Sequence, residues 1–347
     1  MHRCLELAAM AAGQVAPNPM VGAVLVHGDR IIGEGYHQVY GGPHAEVNCL
    51  AAVQPEDRHL IPGSTLYVSL EPCAHFGKTP PCADLIIRER IPAVVVACRD
   101  PFPEVDGKGL EKLRAAGVQV SLGMLESEAR ELNKRFFTFH TKQRPYIILK
   151  WAQSADGKLA GPIPGPMAIS NAYSNRLVHK WRSEEASILV GANTALYDNP
   201  QLTTRGWPGK NPVRLVLDPQ LRLPGHLHLF NQQTPTIVFN TRLQQEQENL
   251  LYYQLTAAAN LAPQVVQALY QLKLQSVLVE GGPRLLQSFI DAGYWDELRV
   301  ITNDSLVVGA GLPAPELPHA FLKTTEQWLT DRIQTYYPEQ KHQQALL

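Results

Sequence analysis

His44-Ala45-Glu46, followed 27 residues after the glutamate by Cys73-Ala74-His75-Phe76-Gly77-Lys78-Thr79-Pro80-Pro81-Cys82, decides how this chain is read. One imidazole and two thiolates can hold a zinc ion and leave one coordination position open, the mark of a catalytic site. A glutamate two residues past the histidine can move protons to and from a water held there. This is the residue set of a zinc-dependent base deaminase, which replaces an amino group on a ring carbon. Residues 43–53 read as a helix with His44 in its first turn. The thiols bracket a loop that runs into a second helix, where amide dipoles favour a thiolate.

The general signature of such deaminases has two residues between the cysteines, and here there are eight. Spacing alone therefore leaves two other readings open. One is a structural zinc that takes a fourth ligand. The other is a capping or core histidine that two thiols approach by chance.

Outward from the motif, the first half alternates strand and helix. Residues 3–12 predict an amphipathic helix ending at Gly13, and 21–27 and 31–36 a hairpin around Gly28-Asp29. Further strands are expected at 65–70, 93–98 and 118–122, with helices at 82–89 and 109–116, giving a five-stranded sheet with helices packed on it. The polar, basic stretch 139–145 ends in proline and marks a boundary, so the domains are expected at 1–143 and 144–338. The second α/β unit predicts strands at 146–152, 187–191, 213–218, 236–240, 276–280 and 297–302. Its helices fall at 170–185, with Ser170 as N-cap, and at 263–272 and 283–292, each opened by proline. The Gln-rich stretch 243–260 yields no element, there is no internal repeat, and the chain after Glu339 is expected to fray.

The length of 347 residues suits about two domains at roughly 150 residues each. Hydrophobic residues at 45% and charged residues at 18% indicate a globular core. With 31 basic and 32 acidic side chains, 31 − 32 = −1, which gives no electrostatic case for a nucleic-acid partner. No apolar run of about 18 residues is available to span a membrane, and Met1-His2-Arg3-Cys4 opens a helix rather than a leader, so cytoplasm is the expected compartment. Five cysteines argue against a disulfide framework, and Cys4, Cys49 and Cys98 lie in apolar runs as buried small hydrophobes.

Three segments carry a resemblance: Pro17-Asn18-Pro19-Met20-Val21-Gly22-Ala23, Gly41-Gly42-Pro43-His44-Ala45-Glu46, and Ser69-Leu70-Glu71-Pro72-Cys73 through Cys82. They resemble the bifunctional riboflavin-pathway enzymes that join a pyrimidine deaminase to a uracil reductase, and the eight-residue spacer is what that family has. The resemblance implies an N-terminal cytidine-deaminase-like α/β/α domain with Zn2+ on His44, Cys73 and Cys82 and Glu46 as proton shuttle. It implies Asn18 on the pyrimidine edge, and His37, His75 and Lys78 lining the substrate side near the ribose phosphate.

The second half is less explicit by itself. Glu280-Gly281-Gly282-Pro283 lies at a strand-to-helix junction where free amides suit a phosphate, although such a turn is often only a turn. No Gly-x-Gly-x-x-Gly is present, so a Rossmann domain is not expected. Lys150, Ser154-Ala155-Asp156-Gly157-Lys158, Trp181-Arg182, residues 191–205 and Glu280-Gly281-Gly282 are similar to the reductase half of the same family. That implies a C-terminal dihydrofolate-reductase-like α/β domain using NADPH, with contacts from Ala152, Leu159, Ala168, Thr194, Asp198, Gly282, Pro283, Arg284, Leu285, Leu286, Gln287 and Ser288. Lys150, Pro166, Arg182, Leu202, Arg205 and Glu280 would hold the substrate, and Lys150 and Glu280 are the candidates for a general acid. One departure stands out: the family's Ser-x-Trp is replaced by Pro166-Met167-Ala168.

The resemblance thus implies deamination of 2,5-diamino-6-(ribosylamino)-4(3H)-pyrimidinone 5'-phosphate and then NADPH-dependent reduction of its ribosyl chain, in a homodimer or homotetramer. The competing expectations are a deaminase of another base or nucleotide with a degenerate second domain, and a non-catalytic nucleotide-binding module with structural zinc.

Overall fold

Gly28, at φ +57, turns the chain between β1 (Gly22–His27) and β2 (Arg30–Tyr36), as Gly-Asp in a hairpin predicts. The computed structural model describes residues 1–76, 80–163, 165–317 and 319–339, and the chain divides into two units, Met1–Gln143 and the part from Arg144 onward. The tail after Glu339 lies outside the described residues.

In the first unit the order is α1 (His2–Ala9), β1, β2, α2 (Ala45–Ala51), β3 (Thr65–Val68), α3 (Cys82–Arg88), β4 (Ala93–Val96), α4 (Lys108–Ala115), β5 (Gln119–Leu122), α5 (Glu126–Leu132) and α6 (Lys134–Lys142). The five strands form one sheet in the order β2-β1-β3-β4-β5, with β3, β4 and β5 parallel. Leu25, Leu66, Val68, Val94 and Val96 pack with Cys49, Leu50, Ile86 and Leu113 from α2, α3 and α4 into one apolar cluster. Period-two burial along short strands and helical spacing in the connections produce this layered core.

Two local expectations shift. His44 is the N-cap of α2 (φ −73, ψ 165) and not a first-turn residue, its extended backbone being the one an N-cap adopts. The stretch 139–145, read as a polar boundary, is helical as far as Lys142, where α6 ends after burying Phe136, Phe137 and Phe139.

The second unit contains β6 (Tyr146–Ser154), β7 (Lys158–Ala160), α7 (Ala172–Glu184), β8 (Ser187–Gly191), α8 (Ala192–Asp198), β9 (Val213–Leu217), β10 (Thr236–Asn240), β11 (Gln245–Gln247), β12 (Leu250–Gln254), α9 (Ala262–Gln271), β13 (Ser276–Val279), α10 (Pro283–Asp291), β14 (Glu297–Asn303), β15 (Leu312–Pro313), β16 (Ala320–Trp328) and β17 (Asp331–Pro338). Ten of these strands make one sheet, ordered β11-β12-β10-β9-β8-β13-β6-β14-β17-β16, while β7 pairs with β15. The strands from β12 to β14 run parallel, and their near-continuous apolar sequences reflect burial on both faces.

Asn171, not Ser170, caps α7: its side-chain oxygen accepts from the backbone N–H groups of Tyr173 and Ser174 at 2.9 and 3.0 Å. The Gln-rich stretch also proves structured. Leu250 and Tyr252 of β12 pack on one face of the sheet and Leu251 and Tyr253 on the other.

Candidate active sites

The extended conformation of His44 and the two cysteine-bearing loop ends bring three soft ligand atoms together. His44 Nδ1 lies 3.6 Å from Cys73 Sγ and 3.4 Å from Cys82 Sγ, and all three ligand atoms fall within 4.8 Å of one another. Tetrahedral zinc, with bonds of about 2.3 Å to sulfur and 2.0–2.1 Å to nitrogen, needs an N–S edge of about 3.6 Å, so the donor set fits the ion. The Cys82 N–H donates to Cys73 Sγ at 3.3 Å, and the Ala83 N–H donates to the Cys73 carbonyl at 3.1 Å, so the start of α3 grips the first thiol. Hydrogen bonding from Cys82 lowers the Cys73 thiol strongly, while its contact with Cys73 raises Cys82. Two thiols this close ionise together only beside a cation.

Glu46 is 3% exposed in the first turn of α2. Burial, then the neighbouring Cys73, raises its carboxyl above the ordinary range. Its placement depends on α2 lying flush on β2. A Cβ at Gly35 would stand 2.2 Å from Cys49 N, so no larger residue allows that approach.

Asn18 and His37 meet directly: Asn18 Nδ2 is 3.1 Å from His37 Nε2, and His37 Nδ1 is 2.9 Å from the Pro43 carbonyl. The carbonyl can only accept, so Nδ1 carries the hydrogen and Nε2 accepts from Asn18. Burial lowers His37 and keeps it neutral, and it is 3% exposed. His37 therefore links the Asn18 amide to the Pro43 carbonyl and fixes its orientation. His75 lies edge-on to Phe102, with its Nδ1 buried and without a hydrogen-bond partner among the described residues. Lys78 lies outside the described residues.

Two residues to which the sequence assigned no role hold the segments of this site: Asn133, outside the motifs, and Glu71, within one of them. Asn133 accepts from Met20 N and donates to Met20 O, both at 2.8 Å, and so ties the Asn18 loop to the start of α6. Glu71 joins the segment leading to Cys73 to the start of α4.

In the second unit, the C-terminal ends of the adjacent parallel strands β8, β13 and β6 form the kind of edge at which open α/β sheets bind ligands. Arg182 of α7 makes a two-pronged pair with Glu280, 2.8 Å from Nε and 2.7 Å from Nη2, and its Nη1 donates to the Thr203 carbonyl at 3.3 Å. Burial raises Glu280, but Arg182 overrides it and holds the carboxyl at about 2. Burial lowers the Lys150 ammonium, opposed by the Glu280 charge.

Gly191 N donates to Gly281 O at 2.9 Å, and a Cβ on Gly282 would meet Thr194 Oγ1 at 3.1 Å, so the 280–282 turn and the start of α8 converge. Along α10, Leu285 and Leu286 point into the core, Ser288 Oγ donates to Leu285 O, and Gln287 holds the Glu316 backbone. Gly282 is the N-cap of α10, and Pro283 and Arg284 open the helix. Leu202 is buried at φ +54, and Arg205 is exposed. Ala152 and Leu159 are half-buried, Asp198 ends α8, and Pro166 and Ala168 are exposed between β7 and α7.

Fold and ligand cluster together define a zinc-deaminase type of unit followed by a second α/β unit. Residues 1–98 match the cytidine and deoxycytidylate deaminase zinc-binding region, and residues 145–329 match the RibD C-terminal domain. The riboflavin biosynthesis protein RibD of Aquifex aeolicus is 44% identical over 91% of this chain and 89% of its own length, and that of Escherichia coli is 37% identical over 88% and 87%. Among solved structures, a diaminohydroxyphosphoribosylaminopyrimidine deaminase/5-amino-6-(5-phosphoribosylamino)uracil reductase from Thermotoga maritima superposes with a TM-score of 0.88 at 36% identity, covering 97% of each chain. RibD of Acinetobacter baumannii gives 0.86 at 31% identity, again covering 97% of each.

The chain belongs to the RibD family of riboflavin biosynthesis, bifunctional enzymes in which a zinc-binding deaminase domain precedes a reductase domain. The fold classes expected of the two halves are the ones found. No helix among the described residues is long and apolar enough to cross a membrane.

Proposed function

We propose that residues 1–143 deaminate 2,5-diamino-6-(ribosylamino)-4(3H)-pyrimidinone 5'-phosphate and that residues 144–338 reduce the ribosyl chain of the product with NADPH, giving 5-amino-6-(ribitylamino)uracil 5'-phosphate. The observation that carries the reading is the convergence of His44 Nδ1, Cys73 Sγ and Cys82 Sγ beside the buried Glu46. Zinc bound there supplies Lewis-acid activation of the attacking water. Glu46 would carry one proton of that water to the ring nitrogen and then the second, from the hydroxyl added to the ring carbon, to the departing amine, which leaves as ammonia. Asn18, fixed by His37, presents its remaining amide groups to the pyrimidine edge. His75 and Lys78 serve the sugar-phosphate side.

In the second unit NADPH supplies a hydride for the anomeric carbon. The start of α10 and Thr194 cradle the cofactor's phosphates. Arg205 and the outer edge of Arg182 hold the substrate phosphate, a geometry that guanidinium groups suit. Glu280 stays ionised against Arg182, which leaves Lys150 as the proton donor of the two candidates. The reaction is expected in the cytoplasm and in a homodimer or homotetramer, which sedimentation measures.

Glu46→Gln tests the first step. Zinc content should stay at the wild-type level while deamination falls about 10²- to 10⁴-fold. Loss of zinc, or retained deamination, would refute the role. Oxidation of NADPH by purified deaminated substrate tests the second, and a rate no higher than background would refute it.

A further inference from the structure

Glu71 is 4% exposed, and its carboxylate faces four backbone N–H groups. One oxygen accepts from Gly109 N at 3.0 Å and Leu110 N at 3.4 Å, the other from Gly107 N at 3.0 Å and Asp100 N at 3.2 Å. Gly107, the N-cap of α4, has no side chain to satisfy the first amides of that helix. Glu71 does so from 38 residues away in sequence, measured to Gly109.

The fit is close on the neighbouring residue as well. A Cβ at Gly109 would lie 1.9 Å from the Pro72 carbonyl oxygen, so the first turn of α4 sits directly on the peptide that leads into Cys73. On its far side, Cys73 is held by the start of α3 through its sulfur and its carbonyl. Of these two grips, the one from α4 depends on a single side chain.

We propose that Glu71 is a positioning residue for the metal site: by capping α4 from a distance it fixes Pro72 and thereby the Cys73 sulfur at the spacing from His44 that zinc requires. This rests on the zinc reading above. Groups that orient metal ligands without touching the ion change affinity by about 10- to 100-fold when altered. Coupling is reciprocal, so bound zinc must in turn protect the amides that Glu71 holds.

The test uses the full chain carrying Glu71→Gln, which turns one acceptor oxygen into an N–H donor facing amide donors. Zinc affinity, read by competition with a chromogenic chelator, should fall about 10- to 100-fold. The thiolate-to-metal absorption band of the cobalt-substituted protein should shift, and deamination should recover at saturating zinc. Reduction by the second unit of the same chain should be unchanged. Wild-type zinc affinity and an unshifted cobalt band in folded Glu71→Gln overturn the proposal.

If Glu71→Gln does not fold, hydrogen exchange in the wild-type chain decides. Chelation should speed exchange at Gly107, Gly109 and Leu110 relative to amides of α9, and unchanged exchange overturns the proposal. A wild-type chain that binds no zinc would instead bring down the underlying reading. Zinc binding and deamination in the wild type, matched by Glu71→Gln, would sink this inference alone.

Discussion

Glu280 carries two opposed influences, burial that raises its carboxyl and an Arg182 guanidinium that lowers it, and the pair wins. The net value of about 2 lies below the ordinary glutamate value of 4.5, so the pair's contribution to stability is fully present above about pH 4.5. It is lost as pH falls from there through about 2. Urea midpoints of wild type and Glu280→Gln between pH 6 and pH 2 should therefore converge toward the acid end, and a gap that stays constant would contradict the pairing. Thiol chemistry gives a second prediction at this scale. Burial pushes Cys4 up to about 11 and Cys98 to about 12, and it raises Cys49 further. Alkylation of the chelator-treated protein should therefore reach Cys73 well before these three, as peptide mapping can show.

His44, Glu46, Cys73 and Cys82 were legible in sequence because their residue types suit zinc and proton transfer, and the resemblance carried by the loop between the thiols chose among the readings that spacing left open. Arg182 and Glu280 were named as separate candidates. Their pairing across 98 positions was not legible, since no local pattern records which distant charge a side chain meets.

At the scale of elements, α2 depends on the glycine beneath it. Gly35→Ala would force the helix away from β2, because its Cβ has only 2.2 Å to Cys49 N. The expected cost is about 1–3 kcal/mol, as for other overpacked contacts, with weakened zinc binding because His44 and Glu46 ride on that helix. Thermal melting and chelator competition measure both. Arg214 organises the end of β9 in a comparable way. It is 1% exposed and donates to the carbonyls of His228, Leu229 and Thr234 and to the side chains of Thr236 and Asn231. Arg214→Leu should lower stability by several times the roughly 1 kcal/mol of an ordinary hydrogen bond, because buried carbonyls lose their donor. An unchanged melting temperature would refute that account. The expected strands and the two proline-opened helices appear near their expected places, since apolar runs and helix starts are local signals. β12 was hidden because glutamines flank it, and its two-faced packing depends on sheet neighbours. Asn171 displaced Ser170 as the cap of α7 because the chain also fastens Asn171 to Asp331 and Trp328 of the distant hairpin.

For the whole molecule, each unit has its own apolar core, built around Leu66 and Ile86 in the first and Leu149 and Phe289 in the second. Zinc binds the first, so chelation should lower the melting transition of that unit by mass action. NADPH should raise the transition of the second. Calorimetry with each ligand alone reads both, and a chelator that moved only the second transition would overturn the assignment. By itself the sequence determined the chemistry, the two-part α/β organisation and most element positions, because residue type and hydrophobic period act over a few residues. Tertiary structure alone decided that His37 pairs with Asn18, that Glu71 meets the start of α4 and Asn133 the Met20 backbone, and that Glu280 is bound to Arg182. Each of these is a contact between segments far apart in the chain, selected by packing and by the need to pair buried polar groups.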